Sequence, residues 1–212
     1  MTALQEGHRM GATALSGGFE APVFDAQMVF RSIMDAFARP GTAVALDAKT
    51  EPPGPLSAEA GAVALALLDH ETPVWCDSVL AGAPRVLDWL KFHTGAPVTE
   101  APEDAAFAFI GQPDRMPALA AFAQGTAEYP DRSTTLVVMA TRLGTDRSAG
   151  GAELSGPGIR TATRFAPDPL PPGFWDQARA NHAQFPRGVD MVFAAPGRIA
   201  ALPRSTRIGE EA

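Results

Sequence analysis

TTLVVMA, residues 134–140, has the pattern of a strand whose two faces are both apolar. Such a strand belongs inside a sheet that is covered on both sides, which is typical of parallel strands. Shorter strand-like stretches lie at 42–46, 73–76 and 105–111, and helix-like stretches separate them. Strands that alternate with helices need crossover connections. The sequence therefore predicts an α/β fold with three α/β/α layers around a mainly parallel mixed sheet.

The first helix is predicted within residues 23–41, VFDAQMVFRSIMDAFARPG. Phe30, Ile33, Met34 and Phe37 fall at helical spacing and are expected to form its buried face, with Asp25 as the cap of its first turn. Pro40 and Gly41 are expected to end it. Further helices are predicted at 57–70, 83–95, 116–125 and 174–185.

The last third of the chain changes character. Short strands are predicted on either side of the turn GPG at 156–158, and 191–195 and 198–202 are predicted to form a hairpin about a Pro-Gly turn. Antiparallel strands are therefore expected at the edge of the sheet.

The chain of 212 residues is expected to form one α/β domain over residues 19–207. Residues 1–18 are expected to be a mobile N-terminal arm, and residues 208–212 a C-terminal tail.

Composition narrows the class of protein. A net charge of -7 argues against a nucleic-acid surface, which would need clustered cations. No stretch has the length of a membrane span or the pattern of a secretory signal, and the single cysteine, Cys76, suits a reducing compartment. We expect a soluble cytoplasmic protein that binds neither nucleic acid nor membrane.

The glycine-rich segment GPGIRT at 156–161 begins like a dinucleotide fingerprint, but its sixth residue is threonine and a strand follows it. A dinucleotide site needs a helix at that point, so this segment is not one. Two interpretations stay open. Gly156 and Gly158 could supply the backbone angles of a tight turn, or their amides could form an anion nest with charge from Arg160 or Arg164.

Two further polar clusters are candidates for anion binding or for a subunit interface. Asp131, Arg132 and Ser133 precede the central strand, at the end of a parallel sheet where ligands seldom bind, so an Asp-Arg pair could equally secure a loop. Arg204 and Arg207 flank two hydroxyl residues and could bind a phosphonate oxygen, contact a subunit or lie in solvent.

The sequence contains few of the residue patterns that are typical of a self-sufficient catalytic centre. The four histidines are far apart and lack metal-ligand spacing, and no G-x-S-x-G elbow occurs, so no metal site is expected. Only Lys49 and Lys91 could form a Schiff base, and neither precedes a phosphate-binding pattern.

Several segments, in one order, resemble the PhnH family, the H subunits of the bacterial carbon-phosphorus lyase system. The resemblance covers about residues 18–207, and its segments are GFEAPVFDAQMVFRSIMDAFARPGT, LLDHETPVW, WLKFHTGAP, GTAEYPDRSTTLVV, LSGPGI, FWDQARANHAQFPRGVDMVF and LPRSTR.

The resemblance implies a fold similar to the large domain of type I PLP-dependent transferases without the cofactor, so PLP is not expected. It also implies a homodimer that joins PhnG, PhnI and PhnJ in a core complex. With PhnG, PhnI and PhnL, such a subunit is required for making alpha-D-ribose 1-methylphosphonate 5-triphosphate from MgATP and alkylphosphonate.

The family has no securely assigned catalytic residue in this subunit, which suits a chain without a catalytic constellation. We therefore expect mainly an assembly subunit that binds no cofactor by itself, and whether it contributes to catalysis stays open. The alternative is an independent enzyme that binds a phosphonate or nucleotide. Its candidate residues, which could also form an interface, are Asp131, Arg132, Ser133, Gly156, Gly158, Arg160, Arg204 and Arg207.

Overall fold

The computed structural model describes residues 16–145 and 151–211. Its helices are α1 (Pro22–Ala38), α2 (Ala58–Leu67), α3 (Ser78–Ala81), α4 (Pro84–Thr94) and α5 (Phe174–Ala183). Its strands are β1 (Val44–Ala45), β2 (Val74–Cys76), β3 (Phe107–Ile110), β4 (Thr135–Met139), β5 (Arg142–Gly144), β6 (Ala152–Ser155), β7 (Thr163–Asp168), β8 (Asp190–Ala195), β9 (Arg198–Leu202) and β10 (Arg207–Glu211).

The larger sheet has six strands in the order β1-β9-β8-β4-β3-β2. Strands β2, β3, β4 and β8 are parallel, whereas β9 and β1 join antiparallel at one edge. The prediction of a mainly parallel mixed sheet with antiparallel edge strands is confirmed. Val137 of β4 is fully buried and lies opposite Val192 of β8, as the apolar character of both faces of this strand predicts.

Helices α1, α2 and α4 cover one face of this sheet. Residues of α1, α2 and α4 pack with Val137 and Val192 in one apolar cluster on that face. The other face is covered by a four-stranded antiparallel sheet, β10-β6-β7-β5, together with α5. The rings of Phe165 in β7 and Phe193 in β8 meet edge to face across this layer, with centroids 5.3 Å apart.

The predicted third layer of helices is therefore wrong on this face. The connections from β5 to β6 and from β6 to β7 are too short for crossover helices, so β7 pairs antiparallel with both β5 and β6 in a separate sheet.

The buried face of α1 also differs from the prediction. Ile33 is buried as expected, but Val29 and Ala36 accompany it, while Phe30 and Met34 are about half exposed. Apolar residues occur all round this helix, so helical spacing alone fits more than one face, and the tightly packed sheet takes the side with the smaller residues.

Asp25 is buried and lies inside the first turn of α1, where its carboxylate accepts a hydrogen bond from the amide of Ala21 at 2.9 Å. Asp25 therefore stabilises the start of α1 from a position inside its first turn, and not from the N-cap position before the helix.

The helix predicted at 116–125 is wrong, because only a single 3-10 turn, Leu119–Ala121, forms there. The Leu119 amide donates to Gln177 Oε1 at 2.9 Å, and the side-chain amide of Gln124 donates to the Leu119 carbonyl at 2.8 Å. Side chains of Gln177 and Gln124 thus bond to the amide and the carbonyl of Leu119, which in a helix would be available for backbone hydrogen bonds. Likewise α5 ends at Ala183 and not at residue 185 as predicted, and Phe185 is exposed.

The structure describes little of the predicted N-terminal arm but most of the predicted C-terminal tail. Residues 1–15 of the predicted arm lie outside the described residues. Next to them, the Ser16 carbonyl accepts a hydrogen bond from Trp89 Nε1 at 3.0 Å. At the other end, the predicted tail from residue 208 belongs to β10, which pairs with β6 and contributes to the second sheet.

Candidate functional site

Arg204 lies between β9 and β10 and is largely enclosed, with a side chain 13% exposed. Its Nε and Nη2 donate to Oδ2 of Asp190, and its backbone amide donates to Oδ1 of the same carboxylate at 2.8 Å. Nη2 also donates to Ser133 Oγ at 2.6 Å. Nη1 donates to the carbonyls of Pro130 at 2.6 Å and Pro186 at 3.4 Å.

These bonds use all five N–H groups that a guanidinium offers. Asp190 is the first residue of β8, and Ser133 stands two residues before β4. Arg204 therefore joins the amino-terminal ends of two neighbouring parallel strands. The arrangement supports a structural role, because no donor of its guanidinium remains for a phosphonate oxygen.

Asp131 and Arg132 lie beside this group, in the exposed 3-10 turn Pro130–Arg132. The Arg132 guanidinium carbon stands 4.1 Å from the ring centroid of Tyr129, which is the geometry of a cation-π contact. Both residues are on the surface at the amino-terminal end of the sheet, so they are accessible to a partner and remote from the usual ligand crevice.

The GPG turn connects β6 and β7 and packs against the end of α1. Gly156 and Gly158 have φ angles of 123° and 80°, which favour glycine. A Cβ at position 158 would lie 2.2 Å from the carbonyl oxygen of Ala38 and 2.9 Å from Cδ of Pro40. The contact leaves no room for a side chain, so the turn interpretation explains Gly158 without an anion.

The remaining predicted arginines occupy separate places. Arg160 is exposed beyond the turn, and Arg164 Nη2 donates to the carbonyl of Gly151 at 3.0 Å. Arg207 begins β10 opposite Ser155, close to Gly156. The structure thus forms two groups, one around Arg204 and one at the GPG turn, linked through the segment 204–207, and not a single crevice.

A cleft of about 630 Å³ lies elsewhere, between the segment before α1 and residues 49–51. Its lining consists of Gly17, Gly18, Glu20, Ala21, Asp25, Lys49, Thr50 and Glu51, and includes none of the eight predicted site residues. Lys49 has a φ of 44°, and its Nζ lies 3.6 Å from Asp25 Oδ1 and 3.8 Å from Asp47 Oδ2. Sequence reasoning treated Asp25 only as a cap and missed its pairing with Lys49.

At the carboxyl ends of the parallel strands, where α/β proteins commonly bind ligands, Asp77 follows β2. Its carboxylate accepts hydrogen bonds from the amides of Leu80 at 3.1 Å and Gln112 at 2.8 Å. It caps α3 and holds the loop after β3. Sequence reasoning did not single out this residue, although an acidic residue directly after a buried strand was a usable signal.

Burial raises the pKa of the neighbouring Cys76 thiol to about 12, so the thiol is a poor nucleophile at neutral pH. Within residues 16–145 and 151–211, no group of three or more His, Cys, Asp or Glu side chains is arranged to hold a metal ion. The same residues include no helix that is long and apolar enough to cross a membrane.

The family model for a bacterial phosphonate metabolism protein, PhnH, matches residues 17–209. The chain belongs to the PhnH family. This confirms the resemblance in the sequence, and the matched region contains both the Arg204 group and the GPG turn. A PhnH relative from Rhizobium meliloti (strain 1021) is 48% identical over 200 residues, which cover 92% of this chain and 96% of the relative. That relative is named alpha-D-ribose 1-methylphosphonate 5-triphosphate synthase subunit PhnH.

Proposed function

We propose that this chain is a subunit of an alpha-D-ribose 1-methylphosphonate 5-triphosphate synthase and acts mainly in assembly. The similarity to the Rhizobium subunit over nearly the full length of both chains supports the reaction system. One structural observation supports the assembly role: Arg204, the most enclosed of the four predicted site arginines, has its guanidinium N–H groups bonded within the chain.

The proposal includes partners and compartment. The chain forms a homodimer, joins PhnG, PhnI and PhnJ in a cytoplasmic core complex, and works with PhnG, PhnI and PhnL in the first reaction. It carries no cofactor of its own.

Reconstitution tests the role directly. Purified PhnG, PhnI and PhnL are incubated with MgATP and methylphosphonate, with and without this chain, and phosphorus NMR detects the ribose phosphonate. We expect product only from the complete set, and none from this chain alone.

Product formed by the chain alone would favour an independent enzyme, and equal yield with and without the chain would refute the subunit role. Calorimetry on the isolated chain with ATP or methylphosphonate serves as the control for ligand binding. Under the proposal, no tight binding is expected.

A further inference from the structure

The side of α1 that faces away from the sheet is the most apolar exposed helix surface in the described part of the chain. We name this surface the outer face of α1. Its large apolar side chains and their exposed fractions are Val23 79%, Phe24 71%, Met28 48%, Phe30 46% and Met34 51%. The opposite side of the helix is buried and already packed on the sheet and α2.

The outer face is large enough to be an interface. A fully exposed Phe or Met side chain presents roughly 200 Å², so these fractions leave roughly 500 Å² of mostly apolar surface on one helix. Monomeric proteins seldom expose a larger contiguous apolar patch. If two copies bury the same face, the total reaches roughly 1,000 Å², which is the lower limit of a specific protein interface.

Charge favours a second copy as the occupant. Two chains that each carry a net charge of -7 repel each other over most of their surfaces. The exposed charged residues of α1 are Arg31 and Asp35, and Asp35 forms an ion pair at 2.7 Å with Arg39, the residue that follows the helix. This helix is therefore not acidic, and two copies can approach each other here with little repulsion.

We propose that the outer face of α1 forms an isologous interface with α1 of a second copy, with the two helices antiparallel. This deepens the homodimer of the proposed function and rests on it. Residues Val23, Gln27, Phe30 and Met34 are spaced as one ridge along the helix. In an antiparallel pair of helices centred on this ridge, Val23 packs against Met34 of the other copy, and Gln27 packs against Phe30 of the other copy. It also places each helix's amino-terminal end beside the other's carboxyl-terminal end, where the dipoles attract.

Sedimentation of the purified full-length chain tests the interface without any partner subunit. The wild type is expected at twice the chain mass of 22.2 kDa. Phe24→Arg and Met34→Arg each place a charge on the outer face of α1 and are expected to weaken dimerisation at least 100-fold. Phe92→Arg is the matched control, because Phe92 lies in the helix α4 and its exposed fraction of 59% falls between those of Phe24 and Met34. It is expected to remain dimeric, and circular dichroism checks that every variant is folded.

Three outcomes would overturn the inference. The first is a wild-type chain that is monomeric at micromolar concentration. This includes a chain that dimerises only after residues 1–15 are removed, because that segment would then cover the outer face of α1. The second is Phe24→Arg and Met34→Arg variants that dimerise as tightly as the wild type. The third is a pair of variants that dimerise normally but no longer co-purify with PhnG, PhnI and PhnJ. In that third case the outer face contacts another subunit, and the proposed function stands without this interface.

Discussion

Arg204 and Asp190 form a partly enclosed ion pair in which the backbone amide of Arg204 also donates to the Asp190 carboxylate. The two side chains are 13% and 19% exposed. The other donors of Arg204 bond to Ser133 and Pro130. The Arg204 side chain, which follows β9 in the sequence, therefore links the start of β4 to the start of β8. The pair explains why arginine stands at 204 without any ligand.

Arg204→Ala is expected to lower the free energy of unfolding by about 3 kcal/mol, because it leaves the enclosed Asp190 carboxylate without its partner. The matched change Arg207→Ala, on an exposed arginine three residues later, is expected to cost less than about 0.5 kcal/mol. Urea unfolding followed by circular dichroism measures both. Equal losses for the two variants would contradict the structural role of Arg204.

Gly158→Ala is expected to cost about 3 kcal/mol, since the added Cβ would overlap the Ala38 carbonyl in addition to requiring a positive φ. Gly173→Ala isolates the effect of φ, because Gly173 has a φ of 71° and open space where a Cβ would stand. It is expected to cost about 1 kcal/mol. If the two variants unfold at the same urea concentration, the contact between the GPG turn and α1 does not constrain the turn.

Asp25→Ala is expected to destabilise the protein by about 1–2 kcal/mol. It removes a buried acceptor from the Ala21 amide at the start of α1. Asp35→Ala on the same helix is the comparison, because its ion pair with Arg39 is exposed and is expected to contribute less than about 0.5 kcal/mol. Thermal unfolding of the wild type and of both variants in the same neutral buffer measures the difference. A larger loss for Asp35→Ala would refute the assignment.

Cys76 is expected to resist a thiol reagent in the native protein at about pH 8 and to react once the chain is unfolded in guanidinium, because burial raises its pKa to about 12. The folded state binds this proton more tightly than the unfolded state, whose thiol ionises near 9.0. The stabilising contribution is therefore complete below about pH 9 and is lost as the pH rises towards 12. Rapid labelling of the folded protein near neutral pH would contradict this.

The elements that sequence reasoning predicted correctly have strong local signals. Ser57 caps α2 by accepting from the Ala60 amide, and Gly95 ends α4 with a φ of 72°. Strand β4 is apolar over its length and lies within the main sheet. In the candidate site, sequence reasoning selected Arg204 and Ser133, which do meet, but it missed Asp190 and Pro130. The pairing depends on the register of β8 against β4, and no local pattern encodes that register.

The sequence by itself determined the family, the alternation of strands and helices, and the glycine positions where the backbone must turn, because each depends on residues close together in the chain or on their order. The tertiary structure decided which face of α1 is buried, that strands β5, β6, β7 and β10 form a separate sheet, and that Arg204 bonds to Asp190. These outcomes arise from contacts between residues far apart in sequence. The apolar periodicity of α1 fits more than one buried face, and packing on the sheet decides between them. In α1 the side with Val29, Ile33 and Ala36 is buried, and the apolar outer face is exposed.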